Sequence, residues 1–154
     1  MKLYDLEQER ILLAGILSQS DYFLTEISSF ISEDDFYSKD SVVNKTIFLR
    51  MFTLLSDSKK IDISLLSHHL NSLSLSFQDN VTISQYLESL HLLSENTSEY
   101  SLKNSAEVIK LLSIRRQLSE VGKEISSSMN QLDSTSSYDD IINTCDKIYN
   151  NKIE

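Results

Sequence analysis

Few residues in this chain are of types that do chemistry at close quarters, and their spacing limits what each can do. His68 and His69 are adjacent, so on a helix they point about 100° apart and cannot hold one metal as an i, i+4 pair does. Glu88-Ser89-Leu90-His91 has the spacing of half a di-iron carboxylate site, but no second Glu-x-x-His pair completes it, and it reads as chance. Glu33-Asp34-Asp35 lacks neighbours that would complete a ligand set and reads as a solvated turn. The single cysteine, Cys145, excludes an intramolecular disulfide and fits a reducing compartment. It falls on the apolar face of the last helix, where a small core hydrophobe is the default reading.

Phosphate and hydrolytic chemistry are excluded on similar grounds. A P-loop clusters its glycines before a Lys-Ser/Thr pair, whereas Gly15 and Gly122 stand alone. There is no zinc-protease His pair and no nucleophile elbow. The segment is therefore expected to be non-enzymatic, with no cofactor and no metal of its own. Its net charge of −9 opposes nucleic-acid binding as its own task and favours protein partners. One local basic group, Lys110, Arg115, Arg116 and Lys123, runs against that trend. With Glu107, Glu120 and Glu124 beside it, an ion-paired solvated face is the plain reading, and a docking surface for an acidic partner the sharper one. No apolar run reaches the roughly 18 residues of a membrane span, and Met1-Lys2-Leu3-Tyr4-Asp5 lacks a signal peptide's apolar core. The expected location is the cytoplasm, with no membrane partner.

The elements that carry these residues are helices. With no Pro, two Gly and no sustained β-branched alternation, the class is all-α. Asp5-Leu6-Glu7-Gln8 has the form of a capping box, and the helix after it puts Leu6, Leu12, Leu13, Ile16 and Leu17 on one side. Gly15 in its middle predicts close approach by another helix, since Gly costs up to about 1 kcal/mol there relative to Ala. Ser20 or Asp21 is expected to cap a second helix bearing Phe23, Leu24, Ile27, Phe30 and Ile31. A third carries Val43, Ile47, Phe48, Met51, Phe52 and Leu55, and exits through Asp57-Ser58-Lys59-Lys60. Asp62 caps a fourth with Leu65, Leu66 and Leu70 inward. After a polar loop from Asn71 to Asn80, Thr82-Ile83-Ser84-Gln85 boxes a short helix with Tyr86, Leu87, Leu90 and Leu93.

Asn96-Thr97-Ser98-Glu99 repeats the cap signature and opens a helix running to Leu132, roughly 50 Å long at about 1.5 Å per residue. Its apolar face passes through Tyr100, Leu102, Ala106, Ile109 and Leu112, then Ile114, Leu118, Val121, Ile125 and Leu132. Asp133 to Ser137 breaks it. A last helix follows with Tyr138, Ile141, Ile142, Cys145, Ile148 and Tyr149 at the same spacing, so the pair reads as an antiparallel hairpin. Residues 1–93 are expected to form a globular subdomain and 94–154 the hairpin, with Tyr100 to Leu112 seating the hairpin on the bundle. Ile114, Leu118, Val121, Ile125, Leu132, Ile141, Ile142, Cys145 and Ile148 form the expected self-association face.

Five ordered stretches give the chain a family likeness. They are Glu9-Arg10-Ile11-Leu12-Leu13-Ala14-Gly15-Ile16-Leu17, Asp35-Phe36-Tyr37, Asn44-Lys45-Thr46-Ile47-Phe48, Ile61-Asp62 with Tyr86-Leu87-Glu88-Ser89-Leu90, and Arg115-Arg116-Gln117-Leu118 after Asn96 and Tyr100. Together they resemble the amino-terminal domain of DnaB-type replicative helicases, with Asn44 standing where that family has a His.

The resemblance implies a collar domain whose hairpins pair into dimers and then a trimer of dimers on a hexameric ring. It also implies contact with primase and a role in helicase loading. ATP, Mg and 5'-3' DNA translocation would belong to a C-terminal domain beyond Glu154, making this an isolated domain. The alternative is a freestanding acidic helical adaptor that binds a helicase or a primase. The reading frame past Glu154 separates the two, and bound-metal analysis addresses a third reading, a helical metalloenzyme.

Overall fold

α1 (Leu6–Ser18) is the element on which the rest of the N-terminal fold packs, because its apolar residues and its one glycine lie on adjoining sides. In the computed structural model, which describes residues 2–57, 60–73 and 81–153, it is followed by α2 (Ser20–Tyr22), a π-helical turn (Phe23–Ile27) and a 3₁₀ turn (Glu33–Asp35). Then come α3 (Val43–Ser56), α4 (Ile63–Asn71), α5 (Ile83–Ser94), α6 (Glu99–Gln131) and α7 (Tyr138–Ile153). The described residues contain no strand, so the chain is all-α. Ser58 and Lys59 of the expected exit loop, and 74–80 of the expected polar loop, lie outside the described residues. The chain divides into two compact units, Met1–Ser113 and Ile114–Glu154, with the division inside α6.

In the first unit the caps fix where the helices begin. Asp5 Oδ1 accepts from Gln8 N at 3.1 Å, and Asp62 Oδ1 from Ser64 N and Leu65 N at 2.8 and 3.2 Å. Thr82 and Gln85 form the full reciprocal box, at 3.1 and 2.9 Å. Two expected caps differ. Gln8 does not reach back to Asp5; its Oε1 accepts from the buried Ser105 hydroxyl of α6 at 2.7 Å, a donor that needs an internal acceptor. The cap of α6 is Ser98, whose Oγ accepts from Ser101 N at 3.1 Å. Thr97 turns inward instead, its carbonyl accepting from Ser18 Oγ at 3.1 Å.

The core is one contiguous cluster. α1 gives Leu12, Leu13 and Ile16, the π-helical turn Phe23 and Ile27, and α3 Ile47, Phe48 and Met51. Leu66 and Leu70, Leu87 and Leu90, and Leu102, Ala106 and Ile109 of α6 complete it. Phe48 packs at 4.9 Å between ring centroids on Phe36 and meets Phe23 edge-on at 6.0 Å, favourable aromatic geometries. A Cβ on Gly15 would lie 2.9 Å from Leu102 Cβ, so the predicted close approach exists and α6 makes it.

Four residues expected inside are exposed: Leu6, Leu24, Leu65 and, at 80%, Tyr100. Leu6 is the first residue of α1, Tyr100 lies two positions, about 160°, from the buried Leu102 on α6, and Leu65 lies about 100° from the buried Leu66. The second helix is irregular. Neither Ser20 nor Asp21 caps it, Ser20 Oγ donates to Ile16 O at 2.8 Å, and Ser28 N bonds Phe23 O at 2.8 Å in the wider π register.

In the second unit the chain reverses between Gln131 and Tyr138. Asp133 Oδ1 accepts from Thr135 N and Oγ1 at 2.9 and 3.0 Å, which holds its carboxyl below the usual carboxylate range. Ser137 and Asp140 then form a reciprocal box, both bonds 3.2 Å, that starts α7. Lys152 Nζ reaches Glu124 Oε2 at 3.7 Å, so α7 runs back along the end of α6.

Candidate interaction face and buried carboxylates

The apolar stripe of the second unit is only partly covered. Among the described residues there, Val121 and Ile148 are its buried apolar side chains, Ile125, Leu132 and Cys145 are half-buried, and Ile114, Leu118, Ile141 and Ile142 are exposed. Leu118 keeps 46% of its surface in solvent. The nine residues of the expected self-association face therefore separate into three kinds, two buried, three half-buried and four exposed. Val121 and Ile148 hold the unit together, and the exposed four are open to contact from outside it.

The basic residues are placed differently from one another. Lys110 belongs to the first unit, where its Nζ lies 3.2 Å from Asp35 Oδ1. Lys123 pairs with Glu120 at 3.3 Å, an exposed i, i+3 bridge of the ion-paired surface kind. Arg115 is exposed and Arg116 half-buried, both engaged in interactions of their own. His68, His69 and His91 are exposed, and among the described residues no group of three or more His, Cys, Asp or Glu could hold a metal ion. No helix of the described residues is long and apolar enough to cross a membrane.

Two carboxylates lie where sequence reasoning places none. Asp35, expected in a solvated turn, is 2% exposed; it accepts from Ser32 N at 2.9 Å and from Lys110. The turn stays in place because its third carboxylate is aimed inward at α6. Glu9 is 1% exposed, and its two oxygens accept from Tyr37 N at 2.9 Å and Asn44 Nδ2 at 3.0 Å. Asn44 Oδ1 in turn accepts from the Tyr86 hydroxyl. Burial, with Glu9 nearby, pushes the Tyr86 hydroxyl up to about 12, against the opposing pull of Arg10 and the Asn44 bond. A buried carboxylate is costly unless hydrogen-bonded, and both are. The signal for Glu9 was present: it occupies the same stripe as Leu12, Leu13 and Ile16, three, four and seven residues on.

The family model for the DnaB-like helicase N-terminal domain matches residues 1–111. The chain belongs to that family. Residues 1–111 take in all but the end of the first compact unit, including α1, the Asp35-Phe36-Tyr37 turn, Asn44 and Tyr86. Among solved structures, the N-terminal domain of DnaB helicase from Mycobacterium tuberculosis is similar at a TM-score of 0.72. That match covers 98% of this chain and 99% of the other at 14% sequence identity, so the fold is common to both over nearly their full length. No curated protein sequence matches the chain. The family is that of the N-terminal, non-catalytic domain of replicative helicases. In this member, Asn44, at the position where the resemblance expects a His, donates to Glu9 and accepts from Tyr86, so an amide bridges both partners.

Proposed function

We propose that this DnaB-like N-terminal domain is an assembly module: its α6–α7 unit pairs with that of a second subunit, as in the collar of a hexameric helicase. Primase or a helicase loader docks on the assembled face. The observation that carries this reading is the exposure of Ile114, Leu118, Ile141 and Ile142 on a small unit whose own buried apolar side chains are Val121 and Ile148. Apolar side chains presented on two antiparallel helices gain from burial against a second copy, at about 25 cal/mol per Å² covered. A twofold pairing lets one patch serve both partners.

In this reading ATP hydrolysis and DNA translocation reside in a separate domain, this segment holds no cofactor, and the protein works in the cytoplasm. Arg115, Arg116 and Lys123, all of the second unit, are the charges proposed for an acidic partner, which would take over their present contacts, such as the exposed Lys123–Glu120 bridge. Equilibrium sedimentation of the wild type against Leu118→Asp and Ile141→Asp tests the pairing. Association of the wild type that either carboxylate abolishes, with unchanged helicity, is the expected result; a strict monomer at high concentration refutes it. Binding of purified primase to the wild type, weakened by Arg115→Ala with Arg116→Ala, tests the docking half.

A further inference from the structure

The first unit carries a half-open cleft of about 470 Å³. Its volume falls in the range of about 300–1,000 Å³ typical of ligand sites. Val43 and the rings of Tyr37 and Tyr86 line it, with Arg10, Asn44 and Asp40 as its polar groups and Leu6 and Val81 exposed at its edge.

The walls are fixed from behind. Both named hydrogen bonds of the buried Glu9 carboxylate go to cleft-lining residues, Tyr37 N and Asn44 Nδ2, and Asn44 holds the Tyr86 hydroxyl. Tyr37 is further held by stacking on Tyr4, 4.0 Å between centroids and 4° from parallel, and by its hydroxyl on Asp40 Oδ2 at 3.0 Å. A buried, hydrogen-bonded carboxyl group thus fixes two lining residues of the cleft, which is how preorganised binding sites are built.

From this geometry we propose that the cleft binds an extended peptide segment of a partner protein, seating one apolar side chain between Tyr37, Tyr86 and Val43 and placing an adjacent carboxylate on Arg10. The guanidinium carries five N–H donors, and its bonds to Glu7 at 3.0 Å and Ser89 at 3.5 Å leave others for a ligand. The Glu7 bridge is an exposed i, i+3 pair, worth little and readily exchanged for a partner carboxylate. Asp40 and Ser41 supply acceptors for backbone N–H groups, which a peptide has and a simple aromatic acid lacks. The exposed apolar edge at Leu6 and Val81 also favours a chain lying across the cleft over a small molecule, whose site encloses most of its surface.

The test is a ¹H–¹⁵N titration of the ¹⁵N-labelled chain with N-acetyl-Leu-Glu-amide and, separately, N-acetyl-Leu-Lys-amide. Saturable shifts at the Tyr37 and Asn44 amides with the Glu peptide, about tenfold weaker with the Lys peptide, are expected from one charge-assisted bond to Arg10. Arg10→Glu should reverse the preference. Equal affinities for both peptides, no shifts at these amides in the wild type, or a preference unchanged in Arg10→Glu would each overturn the proposal. The wild-type comparison decides it even if the variant does not fold. Free phenylacetate, with ring and carboxylate but no backbone, should bind more weakly than the Glu peptide; equal binding would instead make the cleft a small-molecule site and overturn the peptide assignment.

Discussion

The two compact units answer the same polymer problem differently. Met1–Ser113 closes on itself, with six helical segments contributing to one apolar cluster and its buried carboxylates paired inside it. Ile114–Glu154 has two helical stretches, a pair of buried apolar side chains and a row of exposed ones. The same periodicity of three and four produces both. The number of facing elements decides whether such a stripe becomes a core or a contact surface, because a helix pair can cover only one side of each stripe.

Truncation in the two units should separate them most sharply. Leu87→Ala, at a fully buried position, should cost about 3 kcal/mol in urea unfolding, whereas Leu118→Ala should cost under about 0.5 kcal/mol and be felt in sedimentation instead. Equal losses at the two positions would erase the contrast. Next in size, Asp35→Ala leaves the Ser32 N–H and the Lys110 ammonium without that carboxylate. Lys110 can rehydrate, so a loss of about 1–2 kcal/mol is expected, measurable as a lower urea midpoint.

The two glycines sharpen the comparison further. Gly15→Ala puts a methyl into Leu102 of the facing helix and should destabilise by about 1 kcal/mol net of the better helix propensity. Gly122→Ala meets nothing within 4 Å and should stabilise by about 0.5–1 kcal/mol. Thermal melts of the two variants should therefore move in opposite directions.

The smallest effect is confined to high pH. The Tyr86 hydroxyl is raised in the folded state to about 12 from 10.0, so the unfolded chain loses this proton first. Its contribution to stability is complete below pH 10 and is lost as pH rises through 12. Tyrosinate absorbance titrated through pH 12 should show a late step, and Tyr86→Phe should remove it.

Much of this was legible from residue order. Asp5, Asp62 and Thr82 with Gln85 announce helix starts because capping is local, and Gly15, flanked by apolar residues, announces a close neighbour where Gly122, with Lys123 and Glu124 beside it, has none. The family likeness rested on short ordered stretches, and a family model covers most of them. The partners of the buried carboxylates were not legible: Glu9 is satisfied by groups 28 and 35 positions away, and Asp35, besides the local Ser32 N–H, by one 75 positions away. The place of Glu9 on the stripe of Leu12 and Leu13 was the one local sign of burial. Leu6, Leu65 and Tyr100 mislead for a related reason: period identifies a face, not whether anything lies opposite it. The Arg10 cleft could not be read at all, since its lining comes from three separated stretches of chain.

The bonds that hold α1 have a temporal consequence. Ser18 to Thr97, Gln8 to Ser105 and the Leu102 side chain over Gly15 span 79, 97 and 87 positions. During synthesis at about 5–20 residues per second, the first helix therefore waits on the order of 5–20 s before the chain that covers it exists. Until α6 emerges, Leu12, Leu13 and Ile16 have only α3 and then α5 to pack against, and the side of α1 at Gly15 is open to whatever else can bind an apolar helix. The domain's yield in the cell should then respond to translation rate across residues 90–110 more than to codon choice downstream of Ser113.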